Sequence, residues 1–264
     1  MPMLSANNAN FYVETHGEGQ PLVLIAGYTG DHLYFTPVLN ILKQHFQVVL
    51  IDNRGVGQTE DDNSVLSSKL MADDVIAICD ALELKKPHIL GHSMGGTIAQ
   101  MVGIHHGDKI GKLILSATSA KWRQAMVRGF KGMLELRRQD VDFDIQFELI
   151  LGWVFGEKFL QNEDMVAFIK DAILNAPYPQ SFENQARQFE VLATHDAKAL
   201  VQNITSETLV MYGEEDVIAS PDEAVFLANE INQAELTSLP CGHGFFVEAT
   251  EQVSNTIIEF LTRS

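Results

Sequence analysis

Residues 87–106 read PHILGHSMGGTIAQMVGIHH, and this stretch decides the fold. It opens on a short apolar run, PHIL, held between Pro87 and the glycine of the next motif, which is the pattern of a strand covered on both faces. It closes on MGGTIAQMVGIHH, a helical segment. Between them Gly91-His92-Ser93-Met94-Gly95 fits G-x-S-x-G. A strand that turns straight into a helix through such a pentapeptide holds its serine in a strained backbone conformation, with Oγ projecting above the sheet edge. Gly91, Gly95 and Gly96 leave room where strand and helix approach each other. Ser93 is the candidate nucleophile.

Outward from this turn the chain repeats one theme, a short apolar run followed by a longer helical pattern. Residues 21–26 (PLVLIA), 47–52 (QVVLID), 112–115 (KLIL) and 208–212 (TLVMY) read as further buried strands, and 235–239 (ELTSL) as a weaker last one. Leu66, Leu70, Val75, Ile78 and Leu82 keep helical spacing over 66–84, and 255–261 closes the chain with another helix. The alternation predicts an α/β protein with a mostly parallel central sheet flanked by helices. One segment, residues 120–203, breaks it with helical patterns alone, including VDFDIQFELILGWVFGEKFL and DMVAFIKDAIL. A stretch this long between two strands is a structured insertion. Residues 1–119 and 204–264 are then expected to form the core and 120–203 a helical cap, placed over the strand C-terminal ends where ligands of open α/β sheets bind.

A serine nucleophile needs a base to take its proton and a carboxylate to orient that base. Asp216 follows the strand at 208–212, and His243 stands between Gly242 and Gly244 after the weak last strand. Glu214 and Glu215 compete for the acid role. Asp216 is preferred because it lies furthest along the loop, where a side chain turns back towards the histidine. Of the other histidines, His92 adjoins the serine on the turn, His105 and His106 end a helix, and His195 falls in the insertion. The expected set is Ser93, Asp216 and His243. Acyl attack also creates an oxyanion that needs pre-aimed N–H donors. Met94, directly after the serine, supplies one from its backbone. The loop 26–30 (AGYTG) supplies the other, with the N–H of Tyr28 as the candidate.

Composition bounds the partners. Asp and Glu number 35 against 18 Lys and Arg, a net charge of −17. Such a field disfavours nucleic acid and anionic membrane surfaces. Cys79 and Cys241 are too few for a disulfide scaffold and fit a reducing compartment. The start, MPMLSANNANFY, lacks a basic n-region and an apolar h-region, so a cytoplasmic protein is expected. No cluster has convincing zinc spacing, and no metal or organic cofactor is expected. Oligomeric state has no readable signal. In the insertion Trp122, Phe147, Trp153, Phe155 and Phe159 are candidates for an apolar substrate pocket, although aromatics at helical spacing serve equally as core.

Taken together, IAGYTG, the turn Asp52-Asn53-Arg54-Gly55-Val56-Gly57, GHSMGG, the GEED loop and CGHG resemble the α/β-hydrolase superfamily, in its branch of small capped serine hydrolases, over nearly the whole chain. In that branch the D-x-R-G-x-G element is a structural turn, so Arg54 is read as structural. Many relatives begin the oxyanion loop with His-Gly, where this chain has Ala26-Gly27. A backbone donor tolerates that change. Relatives with a carboxylate nucleophile are set aside by Ser93. The resemblance implies hydrolysis of a small or medium ester or lactone through an acyl-enzyme. Carbon–carbon bond hydrolases and slow-turnover ligand sensors of the same fold carry the same three residues and stay open as alternatives.

Overall fold

In the computed structural model, which describes residues 3–263, the short apolar runs become members of one eight-stranded sheet. Its strands are β1 (Met3–Ala6), β2 (Ala9–His16), β3 (Pro21–Ile25), β4 (Gln47–Ile51), β5 (His88–His92), β6 (Leu113–Ser116), β7 (Thr208–Gly213) and β8 (Ala234–Leu239). They lie in the order β1-β2-β4-β3-β5-β6-β7-β8. All neighbours from β4 to β8 pair in parallel, and only β1–β2 and β2–β4 are antiparallel. The sheet is mostly parallel, as the alternation predicts. The antiparallel hairpin has no counterpart in the sequence reading. Its reversal is Asn7-Asn8, both at positive φ (42° and 60°), and two residues of that handedness match the twist of the strands they join.

The helices are α1 (Thr36–Leu42), α2 (Ser68–Ala81), α3 (Met94–His106), α4 (Gln124–Arg138), α5 (Phe143–Val154) and α6 (Glu157–Leu160). They continue with α7 (Glu163–Leu174), α8 (Phe182–Thr194), α9 (Pro221–Glu230), α10 (Phe245–Glu248) and α11 (Thr250–Thr262). Leu22, Leu24, Leu50, Leu90 and Ile114 face a cluster that takes Val38 and Leu42 from α1 and Val253 and Ile257 from α11. Val23, Ile25, Val49, Ile51, Ile89 and Leu113 face the opposite cluster, with Met71 and Val75 from α2 and Ile98 and Val102 from α3. Successive strand residues point to opposite faces, so a sheet covered twice demands runs that are apolar throughout. That is the physical content of PLVLI and QVVLI. Among the described residues no helix is long and apolar enough to cross a membrane.

Two features of this frame locate a site. The strand order turns back at β3, which has β4 on one side and β5 on the other. A crevice opens at the carboxyl ends of strands at such a reversal, and there the loop 26–30 and Ser93 lie. The second feature is the stretch between β6 and β7, where the described residues form only α4 to α8 and short turns. The long apolar run at 141–160 is not one helix. It breaks at Phe155, which is extended (φ −114°, ψ 145°) and separates α5 from α6. These helices touch the loops that follow three strands. Phe130 packs on Tyr28 after β3, Gln188 Nε2 donates to the Arg54 carbonyl after β4 (2.9 Å), and the His243 N–H donates to the Val154 carbonyl after β8 (2.7 Å).

Arg54 has a packing role. Only 2 % exposed, it donates to both carboxylate oxygens of Asp74 (2.7 and 2.9 Å) and to the Asn7 carbonyl (2.6 Å), tying the turn after β4 to α2 and the N-terminal hairpin.

Candidate active site

Ser93 sits between the last residue of β5 and the first of α3, with φ 56° and ψ −118°. A non-glycine residue held there costs about 1–3 kcal/mol, sustained only when its surroundings fix it. They do. The Ser93 N–H donates to the Ser116 carbonyl on β6 (2.9 Å), and the Ser93 carbonyl accepts from the Thr97 N–H (3.1 Å) and Thr118 Oγ1 (2.8 Å). The crossing of strand and helix leaves no space for side chains. A Cβ at Gly91 would stand 2.1 Å from the Gly95 carbonyl oxygen, and one at Gly95 would stand 2.0 Å from that of Ile25.

The loop after β7 turns its acid inward. Glu214 and Glu215 are exposed, and they accept from Ser238 Oγ (2.8 Å) and the Glu157 N–H (2.9 Å) respectively. Asp216 is buried. Its Oδ1 accepts from the N–H groups of Ile218 and Ala219 (2.8 and 2.9 Å), and its Oδ2 meets His243 Nδ1 at 2.8 Å. The carboxylate is thus fixed by its own loop, and its free oxygen fixes the imidazole. The His243 ring centroid lies 5.0 Å from that of His92, the residue before Ser93. No hydrogen bond joins Ser93 Oγ to His243 among the described residues; such contacts commonly tighten only with substrate in place.

The two expected oxyanion donors flank the serine. A Cβ on Gly27 would lie 3.0 Å from Ser93 Cβ and 3.5 Å from its Oγ, so the loop 26–30 runs directly against the serine side chain. Neither the Tyr28 nor the Met94 backbone N–H has a protein acceptor among the described residues. Met94 opens α3, where helix N–H groups are unpaired and the helix dipole favours negative charge.

His92 is buried among Tyr34, Phe245 and Phe246, and its Nδ1 shares a hydrogen bond with Ser116 Oγ (3.0 Å). Burial, and then the neighbouring His243, push its pKa well below the usual histidine range. It stays neutral and packs. The other histidines set aside from the sequence lie elsewhere: His106 Nε2 meets Asp73 (2.8 Å), and His195 Nδ1 meets Ser68 Oγ (3.0 Å).

The candidate pocket aromatics separate into groups. Trp122 donates its Nε1 to Thr97 Oγ1 (3.1 Å) and belongs to the core cluster under α3. Phe147 stacks on Phe143 under the aliphatic and charged reach of Lys170. Phe155 stacks on Phe159 at 4.2 Å and presses against Gly244, beside the histidine. Trp153 packs edge-on to Phe130, which packs edge-on to Tyr28. Phe130 has no place in the sequence reading.

Glu248 was also invisible there. Its carboxylate accepts from the N–H groups of Gly156 (2.8 Å), Gly242 (3.1 Å) and Gly244 (3.1 Å). One side chain thereby joins both sides of His243 to the break between α5 and α6. Burial raises its pKa, and the three N–H groups oppose that rise. The only signal in the sequence is a Glu following CGHG at a distance of one short helix.

Residues 20–250 match the family described as alpha/beta hydrolase fold. An AB hydrolase superfamily protein, YisY, of Bacillus subtilis (strain 168) is 30% identical over 264 residues, covering 96% of each chain. A putative carbamate hydrolase, RutD, of Agrobacterium fabrum is 26% identical, covering 95% of this chain and 97% of its own. Among solved structures, a thermophilic esterase from Thermogutta terrifontis, with malate bound, superposes with a TM-score of 0.85 at 26% identity over 98% of this chain and 97% of its own. The enol-lactonase from Burkholderia xenovorans LB400 superposes with a TM-score of 0.88 at 24% identity over 99% of this chain and all of its own.

Proposed function

Because this chain belongs to the alpha/beta hydrolase fold family, we propose that it is a serine-dependent hydrolase that cleaves a small or medium carboxylic ester or lactone through an acyl-enzyme on Ser93. The observation that carries the reading is the convergence of three features at one strand reversal. They are a strained serine, two backbone N–H groups without acceptors beside it, and a histidine whose far nitrogen is held by a buried carboxylate.

The steps follow from those positions. His243 Nε2 takes the Ser93 proton as Oγ adds to the acyl carbon. The oxygen that gains charge is received by the N–H groups of Tyr28 and Met94, which need no reorganisation because they are already unpaired. Asp216 Oδ2, at 2.8 Å from Nδ1, keeps the tautomer that leaves Nε2 free to accept, and stabilises the imidazolium without taking its proton. Collapse expels the alcohol with the proton from His243. Water then attacks the acyl-enzyme by the same route in reverse. Relatives named as an esterase, an enol-lactonase and a putative carbamate hydrolase support an ester-like class of substrate.

Helices α4 to α8 act as a cap. Their contacts with the loops after β3, β4 and β8, which carry Tyr28, Arg54 and His243, support that reading. The test is hydrolysis of p-nitrophenyl esters of increasing acyl length, with Ser93→Ala as control. Turnover that the substitution removes supports the reading, and the chain-length preference sizes the pocket. Turnover no greater than that of the control contradicts ester hydrolysis and moves the assignment to a carbon–carbon bond hydrolase or a ligand sensor.

A further inference from the structure

Where the oxyanion loop meets α4 and α8, the structure holds polar groups that the acyl-transfer steps do not use. Tyr28 gives its backbone N–H to the reacting centre, but its side chain runs into the cap. There its ring meets Phe130 edge-on at 5.6 Å, and Phe130 meets Trp153 at 6.2 Å. Trp153 precedes Val154, whose carbonyl holds the His243 loop. This aromatic row therefore spans the distance between the histidine loop and the oxyanion loop as an apolar wall.

At the wall's end the Tyr28 hydroxyl is buried and has no hydrogen-bond partner among the described residues. The positive charge of Arg137 and the neighbouring Gln185 side chain both act on the hydroxyl against the effect of burial. Arg137 is half-buried. It donates to Gln185 Oε1 (2.5 Å) and to the Gln180 carbonyl (2.5 Å), and no carboxylate lies within ion-pairing distance of it among the described residues. That is unusual company in a chain of net charge −17. Other arginines removed from solvent have acids: the buried Arg54 has Asp74, and the partly buried Arg187 has Asp61.

A half-buried guanidinium without a counter-ion and a buried hydroxyl without an acceptor are each unfavourable alone. One ligand group answers both. A carboxylate is an acceptor with two oxygens and one negative charge, matched to a planar guanidinium and a phenol. Resting on the reading of Ser93 as the acylated residue, we propose that Tyr28 Oη and Arg137 form a carboxylate-binding subsite, so that the substrate is an ester or lactone with a free carboxylate at the far end of a short apolar chain. The aromatic wall holds the chain, Arg137 and Tyr28 hold its charged end, and the scissile carbonyl falls between Ser93 and the two N–H groups. The subsite also offsets the long-range repulsion of an anionic substrate by the acidic surface.

The experiment compares p-nitrophenyl hemiesters of glutaric and adipic acid with neutral p-nitrophenyl esters of equal length, in wild type, Arg137→Met and Arg137→Lys. Wild type is expected to favour a hemiester by at least about 10-fold in kcat/KM, the scale of one charge-assisted contact. Arg137→Met should lose that preference through KM and leave neutral esters within about two-fold, and Arg137→Lys should keep part of it. A wild-type preference for the neutral esters, or an equal fall on both substrates in Arg137→Met, overturns the subsite. If no ester is turned over, the acylation reading fails by itself. Calorimetric titration of glutarate into Ser93→Ala and Ser93→Ala/Arg137→Met then decides the subsite separately. Binding that needs Arg137 supports it. Absence of binding, or inorganic phosphate binding as tightly as glutarate, contradicts a carboxylate site.

Discussion

Removing the Glu248 carboxylate should damage catalysis more than it damages the fold. Its two oxygens accept from the N–H groups of Gly156, Gly242 and Gly244 at 2.8–3.1 Å. In Glu248→Ala the Gly156 and Gly242 N–H groups lose their acceptor, while that of Gly244 keeps the Val154 carbonyl (2.9 Å), and each fully buried orphan would cost about 1–3 kcal/mol. The side chain is only partly buried, so water reaches some of these groups, and a net loss of about 2–4 kcal/mol is expected. Glu248→Gln keeps one acceptor oxygen and turns an amide donor towards the remaining N–H. It also sheds a charge that burial disfavours, so its loss should be smaller, about 1 kcal/mol. The pH trend has a definite sign. Because the pKa in the fold is raised, the Glu248 contribution is fully present below the usual glutamate pKa and declines as pH rises through the raised value. The gap between Glu248→Gln and wild type should therefore narrow as pH rises from the usual glutamate pKa through the raised value. Two of the three donors flank His243 and the third belongs to the cap. A shift of the imidazole by about 1 Å then costs on the order of 100-fold in kcat/KM. Urea unfolding followed by tryptophan fluorescence gives the stability, and p-nitrophenyl ester hydrolysis gives the rate. A folded Glu248→Ala protein with wild-type stability and kcat/KM within two-fold would refute the reasoning.

Other outcomes follow from single contacts. Arg54→Met leaves Asp74 buried without its cation, a loss of about 3–5 kcal/mol, with kcat of the folded protein unchanged; chemical unfolding alongside active-site-normalised turnover separates the two. Burial lowers the pKa of His195 to about 4 from the ordinary 6.5. The unfolded chain thus takes up this proton first, and the stability from the neutral imidazole is present above pH 6.5 and lost as pH falls towards 4. The loss amounts to about 3 kcal/mol over that window. Unfolding free energies between pH 7 and 4 should fall less steeply in His195→Gln, and identical slopes would count against the assignment.

The fold was legible because its strongest signals are local. PLVLI, QVVLI and the PHIL run need no partner to be read as strands covered twice, and the glycines around Ser93 declare a crossing that admits no Cβ. The pairing of Asp216 with His243 was legible for a related reason: each lies just past a strand, so chain order carries their placement. The N-terminal hairpin was not, since Ala9, Phe11 and Val13 alternate too briefly between polar residues to stand out before Asn7-Asn8 is seen to reverse the chain. In the cap, periodicity says that a helix has an apolar face but not which neighbour that face meets. Trp122 and Trp153 look alike in sequence, yet the first bonds Thr97 in the core and the second joins the row that reaches Tyr28. The contacts of Glu248 with Gly156 and of Arg137 with Gln180 and Gln185 join residues remote in sequence, and no short window of sequence contains them.

The central claim is that Ser93 becomes covalently acylated. Incubation with a fluorophosphonate probe, followed by intact-mass measurement and peptide mapping, tests it directly. The account predicts one adduct per chain, located on the peptide bearing Ser93, absent in Ser93→Ala and formed far more slowly in His243→Ala. An adduct on another residue, or equal labelling of Ser93→Ala, would contradict it.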